Sequence, residues 1–98
     1  MLFRSVVLAD SGKHLYHPAG QAAATYTIPA NSNVAFTTGT AITFVNGSAN
    51  NVSIAITTDT MTLANSANTA TRVLTANGVA TCVKVTSTSW IISGSGLS

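Results

Sequence analysis

Residues 72–94 of this chain read RVLTANGVATCVKVTSTSWIISG, and this stretch decides the fold. Asn77-Gly78 is a dipeptide typical of two-residue hairpin turns, because both residues tolerate positive φ. After it, residues 79–86 alternate between valine or threonine and other residues, which is the period of a strand with two unlike faces. A polar TSTS turn at residues 86–89 then leads into an apolar strand that begins at Trp90 and is expected to end at Gly94. The stretch predicts a three-stranded antiparallel meander, which needs a second layer to pack on.

Short apolar runs between turn residues fill the rest of the chain. The predicted strands cover residues 2–9, 13–17, 25–28, 34–36, 41–46, 52–56 and 61–63. Strands at spacings of about 8–12 residues with turn signals between them are typical of β-sandwiches, jelly rolls and barrels. We therefore predict an all-β fold, a compact sandwich-like, jelly-roll-like or barrel-like domain of about eight to ten short antiparallel strands.

The AGQAAA segment at residues 19–24 is rich in small residues and is the candidate linker of the chain. We expect residues 1–24 to form an N-terminal arm or attachment segment and residues 25–98 to form the β-sandwich module. Residues 94–98 are predicted to be a loose tail.

Charge is scarce in this chain of 98 residues, with four Lys and Arg and two Asp and Glu side chains against 46% hydrophobic residues. A nucleic-acid interface needs clustered cations, so nucleic acid is not expected as a partner. Sheet edges are usually protected by charges, and this chain has almost none for that purpose. We therefore expect obligate assembly into a homo-oligomer, with a trimer favoured.

Export and membrane signals are missing from the pattern. No apolar run approaches the roughly 18 residues of a membrane span, so no membrane partner is expected. The apolar run at residues 6–9 after Arg4 is shorter than the roughly 7–15 residues of a signal-peptide core. The protein is expected to be made in the cytoplasm without Sec export.

No set of residues predicts catalysis, a metal centre or a cofactor. Cys82 is the single cysteine and is expected to be a buried structural thiol. His14 and His17 form an H-x-x-H, but on a strand this spacing places the rings on opposite faces. A ring of symmetry-related histidines holding an ion on a trimer axis remains an alternative. The chain lacks a G-x-S-x-G motif and has only Asp10 and Asp59 as carboxylates, which predicts a non-enzymatic protein.

Several segments resemble a module of bacteriophage and prophage virion proteins. Residues 26–36 (YTIPANSNVAF) and 39–45 (GTAITFV) are similar to an IPANSSVAFPVGT-like stretch, with Thr37-Thr38 where Pro-Val is common. The short strands 52–54 (VSI) and 61–63 (MTL) match two strands of that module in the same order. Residues 80–94 are similar to its ATLIKVxxTxWLLSG-like final hairpin. The resemblance covers about residues 25–94.

This resemblance implies a structural role in the virion, with no catalytic residue to transfer. Since 98 residues leave no room for a fibre shaft, we expect a capsid decoration (cement) protein or the base of a head fibre, made in the host cytoplasm and located in the virion. Its expected partners are other copies of itself and the major capsid protein or another virion protein. The alternative is a tail-fibre or baseplate adhesin module that binds a host surface glycan or protein.

Two groups of residues are the candidate contact sites. The expected subunit or shell interface comprises Leu2, Phe3, Val6, Val7, Leu8, Tyr16 and Trp90. The candidate glycan-facing loop comprises Asn46, Ser48, Asn50 and Asn51.

Overall fold

The structure is a computed structural model that describes residues 2–98, with the side chains of residues 4–98. A short 3-10 helix, Leu8–Asp10, is the only helical element of this described part. The strands are β1 (Leu2–Ser5), β2 (His14–His17), β3 (Ala24–Ile28), β4 (Ala41–Asn46), β5 (Val52–Ile56), β6 (Thr60–Leu63), β7 (Arg72–Thr86) and β8 (Ser89–Leu97).

Within residues 2–98 the eight strands form one mixed sheet. Its main order is β1-β3-β5-β7-β4-β2, while β8 pairs with β7 and β6 pairs with β8. The strand-rich fold is confirmed, but the prediction of purely antiparallel strands is wrong. The pairs β1–β3, β3–β5, β2–β4 and β6–β8 are parallel, and only the ladders that involve β7 are antiparallel.

The parallel pairs share one feature of the chain path. Each of them joins two strands that are separated in sequence by one intervening strand. Parallel pairing needs a crossover connection of this kind, whereas a tight hairpin reverses the direction of the chain. Strands β5 and β7 are also separated by one strand but are antiparallel, so the crossover permits parallel pairing without imposing it.

Strand β7 connects two groups of strands, β1, β3 and β5 in one and β4 and β2 in the other. Its first residues, 72–74, pair with β5, and its residues 79–83 pair with β4. The intervening residues 75–78 form a bulge opposite β8, and Asn77 adopts a φ of 61° there. The predicted hairpin turn at Asn77-Gly78 is therefore wrong, because the left-handed residue makes a bulge within one long strand. The predicted turn at residues 86–89 is confirmed as the β7–β8 hairpin.

Two further local predictions need correction. The expected loose tail is part of β8, and Ser98 and Val73 exchange two backbone hydrogen bonds of 2.9 Å. Residues 34–36 form a loop and not a strand, although Phe36 is buried. Its ring packs edge-on against Trp90, with 5.5 Å between the centroids. Side-chain packing and not a strand ladder therefore holds this loop.

One hydrophobic core collects side chains from both groups of strands. The rings of Tyr26 on β3 and Phe44 on β4 lie 5.6 Å apart, although these two strands do not pair. Cys82 is buried in the same core, as predicted, and burial raises the pKa of its thiol to about 12. Side chains from strands that do not pair with each other therefore meet in this core.

The expected N-terminal arm contains β1 and β2, which pair with β3 and β4. The side chain of Val6 is buried, and its backbone N–H donates to the carbonyl of Thr27 at 2.8 Å. The division of the chain at residue 24 stays a prediction.

Candidate assembly surface

The strands β2, β4, β7, β8 and β6 present one continuous outer face. Cross-strand partners share a face of a sheet, so the register defines its rows. One row joins Ala41, Val83, Ile91 and Thr62, another joins His14, Thr43, Thr81 and Ser93, and a third joins Tyr16, Val45, Val79 and Ser95. We call these three rows, together with Val85, the uncharged face.

The chemistry of the uncharged face is aliphatic and hydroxylic. Val79, Val85 and Ile91 each expose between 42% and 43% of their surface, and Tyr16 exposes 54%. None of the six charged side chains of the chain belongs to its rows. Removing such a face from water requires no desolvation of an ion, so its burial against another surface is favourable.

Two hydroxyl groups on this face are already paired with each other. Thr43 Oγ1 and Thr81 Oγ1 lie 3.1 Å apart, in a cross-strand hydrogen bond. A partner surface that covers this pair would therefore leave neither hydroxyl without a hydrogen bond. The centre of the face is suited to a dry contact.

The edges of the sheet are short. Strands β1, β2 and β6 each have four residues and pair on one side only. Short edge strands are one way in which proteins discourage edge-to-edge pairing without charges. Association through the uncharged face is therefore better supported than association through an edge.

The structure separates the predicted interface residues. Tyr16 lies on the uncharged face, and Val7 and Leu8 are exposed at the 3-10 helix. The prediction that Val6 and Trp90 are contact residues needs correction, because both side chains are buried within the chain, Trp90 with 1% exposed.

Leu2 and Phe3 complete that predicted set, and only their backbone is described. Both residues lie in β1, and their side chains fall outside the described part of the structure. Their role as contacts stays a prediction.

The predicted glycan-facing loop divides in the same way. Asn50 and Asn51 are exposed, but Asn46 and Ser48 are buried, which corrects their assignment. Asn46 Nδ2 donates to the carbonyls of Asn50 at 2.7 Å, Leu74 at 3.0 Å and Thr75 at 3.2 Å. Its Oδ1 accepts from the Ser48 hydroxyl at 2.7 Å.

A signal for the position of Asn46 exists in the sequence. Asn46 is in phase with Ile42 and Phe44 on the inward face of β4, so period-2 reasoning places its side chain inside. The polar composition of the following loop concealed that signal.

The two histidines have different environments. His14 is exposed and His17 is buried. His17 Nε2 donates to the carbonyl of Ala22 at 2.7 Å, and the Tyr26 hydroxyl donates to Nδ1 at 3.4 Å. His17 is thereby committed to contacts within its own chain. The described residues contain no group of three or more His, Cys, Asp or Glu side chains placed to hold a metal ion.

Lys84 is an inward-facing residue that the sequence reasoning missed. Its side chain is 1% exposed, and Nζ donates to Asn31 Oδ1 at 2.7 Å and to the Phe36 carbonyl at 2.8 Å. The ammonium group also lies 5.9 Å from the centroid of the Trp90 ring. The alternation of β7 could have revealed it, because Lys84 is in phase with the buried Cys82.

No helix among residues 2–98 is long and apolar enough to cross a bilayer. No protein-family model, curated protein or solved structure matches this chain. The uncharged face is accordingly the feature of the molecule from which its function is inferred.

Proposed function

We propose that this protein is a non-enzymatic structural protein of a bacteriophage virion, which decorates and reinforces the capsid as a homotrimer. The observation that carries the proposal is the uncharged face, a five-stranded surface without an ionic side chain and with half-exposed valine, isoleucine and tyrosine residues. Exposed apolar patches of this kind mark interaction surfaces. The resemblance of residues 25–94 to virion modules supports the same class of function.

The occupant of this face is another copy of the same chain. A surface without charge meets its own copies without like-charge repulsion, and so it is suited to symmetric self-association. In a trimer, the face of each copy is directed towards the threefold axis. Complete burial of one valine or isoleucine side chain contributes about 1.5–3 kcal/mol, so the half-exposed side chains contribute a part of that each.

The N-terminal segment supplies the second contact, with the major capsid protein or another shell protein. Val7 and Leu8 are exposed next to the 3-10 helix. An ion pair of 3.0 Å between Arg4 and Asp10 holds this segment, and the Val7 N–H donates to Asp10 Oδ2 at 2.9 Å. A segment that is already ordered loses less entropy when it binds.

The same proposal includes the finer architecture. We assign the two groups of strands to the two layers of a β-sandwich that β7 joins. The ring contact between Tyr26 and Phe44 supports the assignment, because these residues belong to strands that are not neighbours in the sheet. An experimental structure in which the two groups do not face each other would contradict it.

The decisive test is the native mass of the purified protein, measured by light scattering over a dilution series. A trimer that persists on dilution supports the proposal, and its dissociation should depend only weakly on salt because the uncharged face contains no ion pair. Capsids with bound protein should then resist heat better than capsids without it, since binding to the assembled state stabilises that state. A monomer at high concentration contradicts the proposal.

A second candidate function, an adhesin module for host glycans, is favoured by one observation. The exposed Tyr16 ring covers Gly47, in the loop that also carries the exposed residues Asn50 and Asn51. An exposed aromatic ring is a suitable stacking platform for a sugar. This candidate predicts binding to bacterial cells that is lost in Tyr16→Ala and retained in Ser66→Ala, a change in the exposed loop after β6. Trimer formation without cell binding would favour decoration.

A further inference from the structure

We propose that protonation of His14 controls assembly, so that mild acid separates the trimer into folded single copies. The inference rests on the proposed self-association through the uncharged face and adds the regulation of that face by pH. His14 and His17 form the H-x-x-H of the sequence, and hydrogen bonds within the chain use only the second of the two rings. His14 lies on the outer side of β2 instead.

The position of His14 is the middle row of the uncharged face. Its cross-strand partner is Thr43 on β4, and the row continues through Thr81 on β7 to Ser93 on β8. The residue is exposed, and none of the residues 4–98 forms a hydrogen bond or an ion pair with its ring. In a separate copy the ring therefore exchanges protons with water, whereas a second copy seated on the face covers it.

The neighbours of this ring carry no negative charge. Tyr16 shares the face on the same strand, and Lys13, an exposed residue, precedes His14 in the chain. Among residues 2–98, β2 pairs with β4 alone, and the positions of β4 that share the face are an alanine, a threonine and a valine. The titratable groups around His14 are thus a phenol and an ammonium group, and neither stabilises an imidazolium ion.

Both carboxylate side chains of the chain are engaged elsewhere. Asp10 forms the ion pair with Arg4, and Asp59 accepts a hydrogen bond from the Asn31 N–H at 2.8 Å. Neither aspartate belongs to the rows of the uncharged face. A partner copy that presents the same face therefore brings no acid to pair with a protonated His14. Covering an imidazolium ion without an anion is unfavourable.

The direction of the pH effect follows from this arrangement. A neutral imidazole can be covered, but an imidazolium ion has to return its proton to water before the face closes over it. A histidine side chain in water changes its charge at about pH 6.5. Separate copies bind more protons than the trimer below this pH, so assembly is fully favoured above it and weakens as the pH falls.

The size of the effect follows from the number of protons released. Below about pH 6, each drop of one pH unit lowers the competent fraction of every copy about tenfold, so the association constant of a trimer falls about a thousandfold. A tenfold higher protein concentration offsets about two thirds of a pH unit, because three copies combine and each releases one proton. Unfolding of a single copy by acid does not depend on concentration in this way.

The test is the native mass of the full-length protein by light scattering from about pH 8 down to about pH 5, at two protein concentrations tenfold apart. Far-ultraviolet circular dichroism of the same samples reports the fold. We expect a trimer at the upper end, a folded monomer at the lower end, and a midpoint about two thirds of a pH unit lower in the concentrated sample. This measurement needs no variant.

The outcomes separate this inference from the proposed function. A trimer that persists over the whole pH range overturns the control by His14 and leaves self-association intact. A monomer at the upper end of the range overturns self-association and this inference with it. Loss of the circular dichroism signal together with the trimer also overturns the inference, because the fold and not the interface would then respond to acid.

Matched variants identify the responsible ring. His14→Gln cannot be protonated and should remain a trimer at about pH 5, whereas His14→Lys carries a permanent charge and should be a monomer at about pH 8. The control Lys13→Gln changes the neighbouring residue and should keep the wild-type midpoint. His14→Gln retains His17, so a His14→Gln protein that dissociates in acid like the wild type overturns the proposal. A trimeric His14→Lys protein overturns it as well.

Discussion

Lys84 and Trp90 are cross-strand partners in the β7–β8 hairpin, and the Lys84 ammonium group lies 5.9 Å from the centroid of the indole ring. Both side chains point into the core. Among residues 4–98 the one ion pair joins Arg4 to Asp10, so Lys84 is held by neutral oxygen atoms and an aromatic ring. A buried cation in such a position organises the loop that covers it.

Replacing this cation should destabilise the protein. Lys84→Met keeps most of the side-chain length but leaves Asn31 Oδ1 and the Phe36 carbonyl without their donor. We expect the free energy of unfolding to fall by about 2–4 kcal/mol, measured by urea denaturation. Lys13→Met is the matched control on an exposed lysine and should change it by less than about 0.5 kcal/mol. Equal midpoints for the two variants would contradict the structural role of Lys84.

The buried amide of Asn46 provides a second test. Asn46→Asp has nearly the same shape but replaces the NH₂ donor by an acceptor that faces the carbonyls of Asn50, Leu74 and Thr75. We expect a loss of about 2–3 kcal/mol in thermal or chemical unfolding. Asn51→Asp changes an exposed residue of the same loop in the same way and should be nearly neutral. A neutral Asn46→Asp would show that the amide network does not stabilise the fold.

Gly94 marks the closest approach of two backbones in the hairpin. A Cβ added there would lie 2.5 Å from Ala80 Cα and even closer to the carbonyl of Val79. Gly94→Ala should cost about 3 kcal/mol or more, because backbone cannot move aside as a side chain can.

Gly47, in the turn that follows β4, is a matched position that distinguishes crowding by backbone atoms from crowding by a side chain. The three atoms nearest to a Cβ on Gly47 all belong to the exposed Tyr16 side chain, which can rotate away. Gly47→Ala should therefore cost clearly less than Gly94→Ala in the same urea experiment. The reverse order would contradict the packing at Gly94.

The thiol of Cys82 predicts a defined pH dependence. Burial raises its pKa from 9.0 to about 12, so the folded state keeps the proton that the unfolded state releases. The resulting stabilisation is complete below about pH 9 and is lost between about pH 9 and pH 12, at up to about 1.4 kcal/mol per pH unit.

Cys82→Ala is the control for this pH dependence, because it lacks the titrating group. The difference in unfolding free energy between wild type and Cys82→Ala should shrink over this pH range. The folded wild-type thiol should also resist alkylation at pH 8 until denaturant is added. A difference that stays constant up to pH 12 would contradict the burial of the thiol.

The uncharged face can be tested by adding charge to it. Val83 and Ile91 are cross-strand neighbours at its centre, so Val83→Lys with Ile91→Lys places two cations side by side on the proposed interface. We expect the trimer to dissociate at least tenfold more readily on dilution, because two ions would have to be desolvated together. The control places lysines at Ser66 and Thr69, two exposed loop positions outside the rows of the face, and should leave the native mass unchanged. Dissociation in both double variants would indicate a general charge effect.

Local sequence patterns predicted much of the strand content. A strand was predicted at residues 41–46, and the structure confirms it as β4, with Ile42 and Phe44 buried. The turn at residues 86–89 is also where it was predicted. These features depend on neighbours within a few residues, which the sequence displays directly.

The same patterns misled where a residue type has more than one use. Asn77 has the positive φ that is typical of a turn residue, but this conformation forms a bulge and not a hairpin turn. A local rule cannot tell these apart, because the difference lies in whether the next residues pair with the preceding strand or continue beside β8. For Asn46 and Lys84, polarity likewise concealed what the alternation of the strand indicates, namely that both side chains face the core.

The sequence by itself therefore determined that the chain is rich in strands and poor in charge. Only the tertiary structure decided that four of the seven strand pairs among residues 2–98 are parallel, that Trp90 is covered by its own chain, and that Val79, Val83 and Ile91 are left outside. The physical reason is that burial and strand pairing are long-range properties. Each depends on which distant segment arrives at a given face, and in this protein a cation at position 84 meets an amide 53 residues away.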